Sequence, residues 1–139
     1  MQENRIRSEV FRMPGTAGQE RPSEESAELI RSMPSTDADY LYQIGLELTH
    51  SGKFAFAIDL LTKALILRPR FPVAWYQKAV CQDHLDKRED ALSSYDTCLT
   101  HDPDHAEAWF NRGMLLKKMG RHDEGDRSVK KAVDLCCGR

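Results

Sequence analysis

The chain has 139 residues, of which 40% are hydrophobic and 30% are charged. Its formal net charge of −2 argues against binding of nucleic acid through overall positive charge. No apolar run approaches the roughly 18 residues of a membrane span, and the N-terminus lacks the continuous apolar stretch of a secretory signal. We therefore expect a small protein of the cytoplasm with one folded domain.

Residues 1–37 differ in composition from the rest of the chain. They are rich in Pro, Gly, Ser and Glu and show little hydrophobic periodicity, so we expect a mostly flexible tail. A short helix is possible over 23–32, and Pro34 would stop it. The segment SEESAELIRSM would then be able to lie across the start of the folded region or inside a binding groove.

From residue 38 onward the apolar residues recur at helical spacing. Leu41, Ile44 and Leu48 mark one face of a first helix, and the run FAFAIDLLTKALIL predicts a second. Gly52 lies between them and suits a left-handed turn. Pro69 ends the second helix, so the predicted unit is a helix, a short turn, a helix and a proline stop.

The same unit is written more than once, because PVAWYQKAV and AEAWFNRGM place Trp75 and Trp109 34 residues apart. At this period several positions keep one kind of side chain. Small residues recur where helices must cross closely, turn-forming residues recur between helices, and prolines recur at the ends of units. These columns are Gly45/Ala79/Gly113, Gly52/Asp86/Gly120, Ala57/Ala91, Ala64/Cys98/Ala132 and Pro69/Pro103.

This pattern resembles the tetratricopeptide repeat family over residues 38–139, in three units at 38–71, 72–105 and 106–139. The resemblance implies an all-α fold, a right-handed superhelix of helix-turn-helix units that stack because one unit cannot bury its own apolar face. Trp75, Trp109, Gly45 and Gly113 are expected to hold the units together. Gly125 replaces the Ala of the other units, so the second helix of the third unit is expected to be the weakest.

The resemblance also implies that the first helix of each unit lines a concave face that binds a partner peptide or helix. By position, the predicted groove residues are Tyr42, Leu46, Tyr76, Val80, Phe110 and Met114, with a polar rim that includes His50, His84, Lys117 and Lys118. Aromatic and aliphatic side chains inside a polar rim are typical of a binding groove. The alternative is that the rings pack between neighbouring first helices, or that the tail covers them.

Some members of the family hold a partner's C-terminal carboxylate with Lys, Asn and Arg side chains. The matching positions here are Tyr42, Leu46, Gln77, Glu107 and Asn111. Glu107 would repel a carboxylate, so we expect apolar side chains to anchor the ligand instead. The sequence therefore favours a protein-interaction scaffold or adaptor with a protein or peptide partner.

Two other functions stay open at this stage. The three units carry charges of +1, −4 and +3 in chain order, and Lys117, Lys118 and Arg121 form one local basic patch. A role with RNA through the basic third unit is one alternative. The other is an accessory or regulatory subunit of a separate enzyme complex.

Nothing in the sequence points to catalysis, a metal or a cofactor. There is no glycine-rich phosphate loop and no Cys-x-x-Cys pair among the four cysteines. His50 and His84 share a column with Cys81 and Asp83 nearby, but groove polarity explains them better than a metal. His101 and His105 are expected to face solvent.

The ends of the repeat array are a further expectation. No helix follows the third unit, so Val133 and Leu135 are expected to stay partly exposed. Repeat arrays need polar ends, and uncapped apolar ends would favour a homo-oligomer.

Overall fold

The computed structural model describes residues 37–138, which form six α-helices and no strand within that range. The helices are α1 Ala38–His50, α2 Phe54–Leu67, α3 Pro72–His84, α4 Arg88–His101, α5 Ala106–Lys118 and α6 His122–Cys136. The predicted all-α repeat fold is confirmed. The predicted tail and its short helix at 23–32 lie outside the described residues.

Short turns join the two helices of each unit, and each turn contains one residue with positive φ. These residues are Gly52 at 79°, Asp86 at 62° and Gly120 at 84°, which are the three members of the predicted turn column. Asp is among the few side chains that enter the left-handed region readily, so the second unit keeps the turn without a glycine. The sequence prediction holds at all three turns.

Within a unit the two helices cross at glycine or alanine. A Cβ atom on Gly113 would lie 2.7 Å from the carbonyl oxygen of Gly125, and one on Gly125 would lie 2.7 Å from the carbonyl oxygen of Gly113. The expectation that Gly125 is only an unfavourable replacement is therefore wrong. The backbones of α5 and α6 approach too closely for a methyl group, which makes glycine necessary at this crossing.

Between units, an indole–carbonyl hydrogen bond recurs at the same register. Trp75 Nε1 donates to the carbonyl of Pro69 at 2.9 Å, and Trp109 Nε1 donates to the carbonyl of Pro103 at 2.7 Å. Each bond ties a first helix to the linker that precedes it. The tryptophan and proline columns of the sequence are thus two halves of one contact.

The core of the second unit contains a polar pair. Ser94 Oγ donates to Gln82 Oε1 at 2.7 Å, and both side chains are buried. In the first unit the same two columns hold Leu48 and Leu60. A buried polar group is tolerated when its partner is present, and no buried side-chain nitrogen or oxygen between residues 37 and 138 lacks one.

The two glycine crossings predict different responses to alanine. Gly113→Ala would push a methyl group into a backbone carbonyl, so we expect a loss of about 2 kcal/mol in the free energy of unfolding. Gly45→Ala would meet only the side chain of Leu61, at 3.0 Å, which can move. The gain in helix propensity of about 1 kcal/mol should then offset most of the cost. Urea denaturation followed by circular dichroism measures both, and equal losses for the two variants would contradict the crossing geometry.

The polar pair predicts a non-additive response. Ser94→Ala removes the donor and leaves the amide oxygen of Gln82 buried without a partner, which should cost about 1–2 kcal/mol. Adding Gln82→Leu removes both polar groups, so the double variant should be more stable than Ser94→Ala alone. Thermal unfolding of the three proteins checks this, and a double variant as weak as the sum of both singles would refute it.

Candidate partner-binding groove

The first helices of the units, α1, α3 and α5, are linked to one another by side-chain contacts. Thr49 Oγ1 lies 3.1 Å from Cys81 Sγ, which joins α1 to α3. Asn111 Nδ2 donates to the Tyr76 hydroxyl at 2.9 Å, and Lys118 pairs with Asp83 at 3.1 Å, which joins α5 to α3. The residues of the predicted groove therefore lie on three neighbouring helices.

Two of the three predicted groove rings are partly covered by the unit that follows. The ring centroids of Tyr42 and Phe71 are 5.2 Å apart, and those of Tyr76 and His105 are 4.9 Å apart. Phe71 and His105 each stand immediately before the next first helix. Both tyrosines are only half-exposed, so their rings contribute to stacking of the units as well as to the groove surface.

His105 was expected to face solvent, and this is wrong. Besides its contact with Tyr76, its ring nitrogen Nδ1 accepts a hydrogen bond from the backbone N–H of Ala108 at 3.2 Å. It therefore caps the N-terminus of α5. Sequence reasoning missed this role because histidine is not a usual capping residue; its shared register with Phe71 was the available signal.

Phe110 and Met114 form the most exposed apolar part of the predicted groove. They are 46% and 44% exposed and lie four residues apart, on the same face of α5. Leu46 and Val80, which share a column with Met114, are half-buried. Within residues 37–138 no ring stacks on Phe110, in contrast to the two tyrosines of its column.

The polar residues of the predicted rim are partly engaged inside the protein. The ring of His84 stacks on Phe54 with centroids 4.4 Å apart, whereas His50 is exposed. Lys117 pairs with Asp126 at 2.7 Å, and Lys118 with Asp83 as described above. Both lysines are therefore partly neutralised rather than open for a ligand.

Glu107 places negative charge beside the tyrosines of the groove. Burial is the main cause that raises the pKa of Tyr42 and of Tyr76, and the carboxylate of Glu107 raises both further. The side chain of Glu107 itself is exposed at the start of α5. The groove floor near these phenols therefore disfavours an anionic group.

The predicted basic patch is largely paired with acids. In addition to the two lysines, Arg121 bonds Glu124 at 2.7 Å. A separate cavity of about 390 Å³ lies between α5 and α6. Its lining residues are Trp109, Arg112, Glu124, Arg127, Ser128 and Lys131.

Chemistry-bearing side chains do not gather into a site within the described residues. In that part of the chain no three His, Cys, Asp or Glu side chains are placed to hold a metal ion. Cys81 and Cys98 are buried, and burial raises the pKa of Cys98 to about 12, which keeps its thiol protonated. None of the described helices is long and apolar enough to cross a membrane.

Two family models described as tetratricopeptide repeat match the chain, one at residues 72–105 and one at 94–126. The chain is a tetratricopeptide-repeat protein. Solved structures of the same fold include MamA, with a TM-score of 0.72 and 19% identity over 96% of this chain and 77% of that one. The first tetratricopeptide repeat region of Spaghetti (RPAP3), bound to the HSP90 peptide SRMEEVD, has a TM-score of 0.70 and 23% identity over 74% of this chain and 82% of that one.

Two relatives are similar in sequence. Serine/threonine-protein phosphatase T of Trypanosoma brucei brucei is 29% identical over 99 residues, which are 71% of this chain and 21% of the phosphatase. The heat-shock cognate co-chaperone sgt12 of Aspergillus fumigatus is 22% identical over 130 residues, 94% of this chain and 38% of the co-chaperone. This tetratricopeptide-repeat chain thus spans about a fifth and two fifths of the length of these relatives.

The charge of Glu107 predicts a measurable change in tyrosine ionisation. Because folding raises the pKa of Tyr42 and Tyr76 above the ordinary value of about 10, their stabilising contribution is complete below that pH and is lost as the pH rises further. Glu107→Gln removes the smaller cause and should lower both pKa values while leaving them above the ordinary value. Ring NMR signals followed against pH measure this. Glu89→Gln on α4 is the control, and identical titration of the two variants would contradict the proposed proximity.

Proposed function

We propose that this tetratricopeptide-repeat protein is a protein-interaction module, a scaffold or adaptor that binds a partner peptide or helix on the surface formed by α1, α3 and α5. The observation that carries the proposal is the exposed pair Phe110 and Met114 on α5. Large apolar side chains on a rigid helix, inside a polar surround, are typical anchors of a protein interface.

The groove extends from this pair toward the first unit. Val80 and Leu46 continue the column of Met114 at lower exposure, and Tyr76 and Tyr42 continue the column of Phe110. A helical or extended partner would reach its deepest contact on α5 and make shallower contacts along α3 and α1. His50, His84, Lys117 and Lys118 would form the polar rim of this surface.

The charge of the groove favours a particular kind of ligand. Glu107 raises the pKa of both groove tyrosines, so its field covers this part of the surface. A partner segment with apolar anchors and a basic side chain near Glu107 fits this arrangement. The Spaghetti (RPAP3) repeat region binds the acidic peptide SRMEEVD, and the same peptide should bind this chain poorly because of Glu107.

A role as an accessory or regulatory subunit is the second candidate. It is supported by the short coverage of the relatives, since the phosphatase and the co-chaperone are much longer than the region that resembles this chain. An RNA-associated role has less support, because Lys117, Lys118 and Arg121 are all in ion pairs. A reducing compartment such as the cytoplasm suits the four free thiols.

The test is selection of peptides from a display library against the full chain, followed by titration of a selected peptide. We expect the double variant Phe110→Ala, Met114→Ala to weaken binding about 10- to 100-fold, because each side chain is an exposed anchor. The matched control is Ile66→Ala, Val133→Ala, which removes two exposed apolar side chains outside the groove.

The binding mode is decided by three further readings. Circular dichroism must show that both double variants keep their helices. SRMEEVD should bind with a Kd weaker than about 1 mM. Equal loss of binding in both double variants would overturn the groove proposal, and steep weakening with salt would favour the nucleic-acid alternative.

A further inference from the structure

One face of α1 is open where the later units are closed. Tyr40 is 46% exposed, whereas Ala74 and Ala108, which share its column, are fully buried. Ala74 belongs to the same buried cluster as residues of α2, and Ala108 to the same cluster as residues of α4. In those units the second helix of the preceding unit covers the column. Within residues 37–138 no helix precedes α1 to do so.

The same contrast appears one helical repeat further along α1. Leu48 is half-buried, while Gln82 and Leu116 of its column are buried. Glu47 is exposed, while Cys81 and Leu115 of its column are completely buried. The open face of α1, defined here by Tyr40, Glu47 and Leu48, therefore corresponds to the surface that each later unit buries against its predecessor.

The chain that precedes α1 has the length to cover this face. Shifted by 34 residues, the segment 23–33 falls on 57–67 of α2. Residues 34–37 then correspond to the four-residue linkers 68–71 and 102–105, which connect a second helix to the next first helix. The segment 23–33 lies outside the described residues, and its register is argued from sequence.

The register brings two opposite charges together. Leu65 and Cys81 belong to the buried cluster between the first two units, and Leu99 and Leu115 to the cluster between the last two. At the corresponding positions the preceding segment carries Arg31, and α1 carries Glu47. An apolar pair in two interfaces would thus become an ion pair in the third. Within residues 37–138 the carboxylate of Glu47 has no ion-pair partner.

Side-chain sizes also match across this register. Tyr40 is large where Ala74 is small. In the preceding segment, Ser26 and Ala27 stand where α2 has two leucines, Leu60 and Leu61. Small residues on one side leave room for the tyrosine ring on the other, so the total volume at the interface is kept.

We propose that residues 23–33 form a helix that packs on the open face of α1 as α2 packs on α3, with Arg31 paired to Glu47. The segment then serves as the N-terminal cap of the repeat array and leaves the groove free. The pairing differs from the other two interfaces in charge, which fixes this segment to α1 rather than to the apolar end of another unit.

A charge-reversal cycle on the full chain tests the pairing. Arg31→Glu and Glu47→Arg should each lower the midpoint of thermal unfolding by about 2–4 °C, and the double variant should recover at least half of the summed loss. Glu25→Arg is the matched control, because its column holds exposed residues in all three units: Asp59, Ser93 and Arg127. We expect that control to leave the midpoint unchanged. A double variant whose loss equals the sum of both singles would overturn the ion pair.

Hydrogen exchange of the full chain tests the helix itself. Amides of 24–33 should exchange at least about tenfold more slowly than in an isolated peptide of the same sequence. Ile30→Asp, at the column of the buried Ala64, should abolish this protection, whereas Leu29→Asp, at the column of Lys63 and Thr97, should keep it. Exchange at the free-peptide rate would overturn the proposal.

Two other outcomes would also overturn it. Loss of the protection in the Phe110→Ala, Met114→Ala variant would show that the segment occupies the groove instead. A concentration-dependent dimer in sedimentation, with protection only in the dimer, would show that the segment packs on a second copy.

Discussion

The hydrogen bond from each tryptophan indole to a proline carbonyl is the contact on which the arrangement of the units depends. It joins the end of one unit to the first helix of the next, at 2.9 Å for Trp75 with Pro69 and 2.7 Å for Trp109 with Pro103. Because donor and acceptor both recur every 34 residues, each first helix meets its linker in the same way. That repetition places α1, α3 and α5 beside one another and makes a shared surface from three separate helices.

The same stacking decides which groove side chains remain available. The residue before each later first helix, Phe71 or His105, covers part of the tyrosine in the preceding unit. Phe110 has no such ring among the described residues, so the apolar surface is largest on α5. The carboxylate of Glu107 then sets the sign of the charge that a ligand should present. Stability and recognition therefore share one column of aromatic residues, with the balance shifting from the first unit to the last.

The sequence predicted the parts of the structure that depend on spacing. A fixed period gives the helix pairs, the turn residue at Asp86 and the small residues at helix crossings. It does not give partners that lie across a unit boundary, such as the contact of His105 with Tyr76 or the pairing of Lys118 with Asp83. Nor does it show how closely two backbones approach, which is why Gly125 looked unfavourable before the 2.7 Å distance explained it. The six groove residues were assigned by position, and their role in binding remains a prediction.

The most direct measurement of the central claim is a methyl NMR titration of the isotope-labelled full chain with a peptide selected for binding. The account predicts that the methyl signals of Met114, Val80 and Leu46 shift with one common saturation curve, with the largest change at Met114. Signals of Val133 and Ile66, which are exposed elsewhere, should stay in place. Shifts confined to residues around the cavity between α5 and α6, with the three groove methyl groups unchanged, would contradict the account.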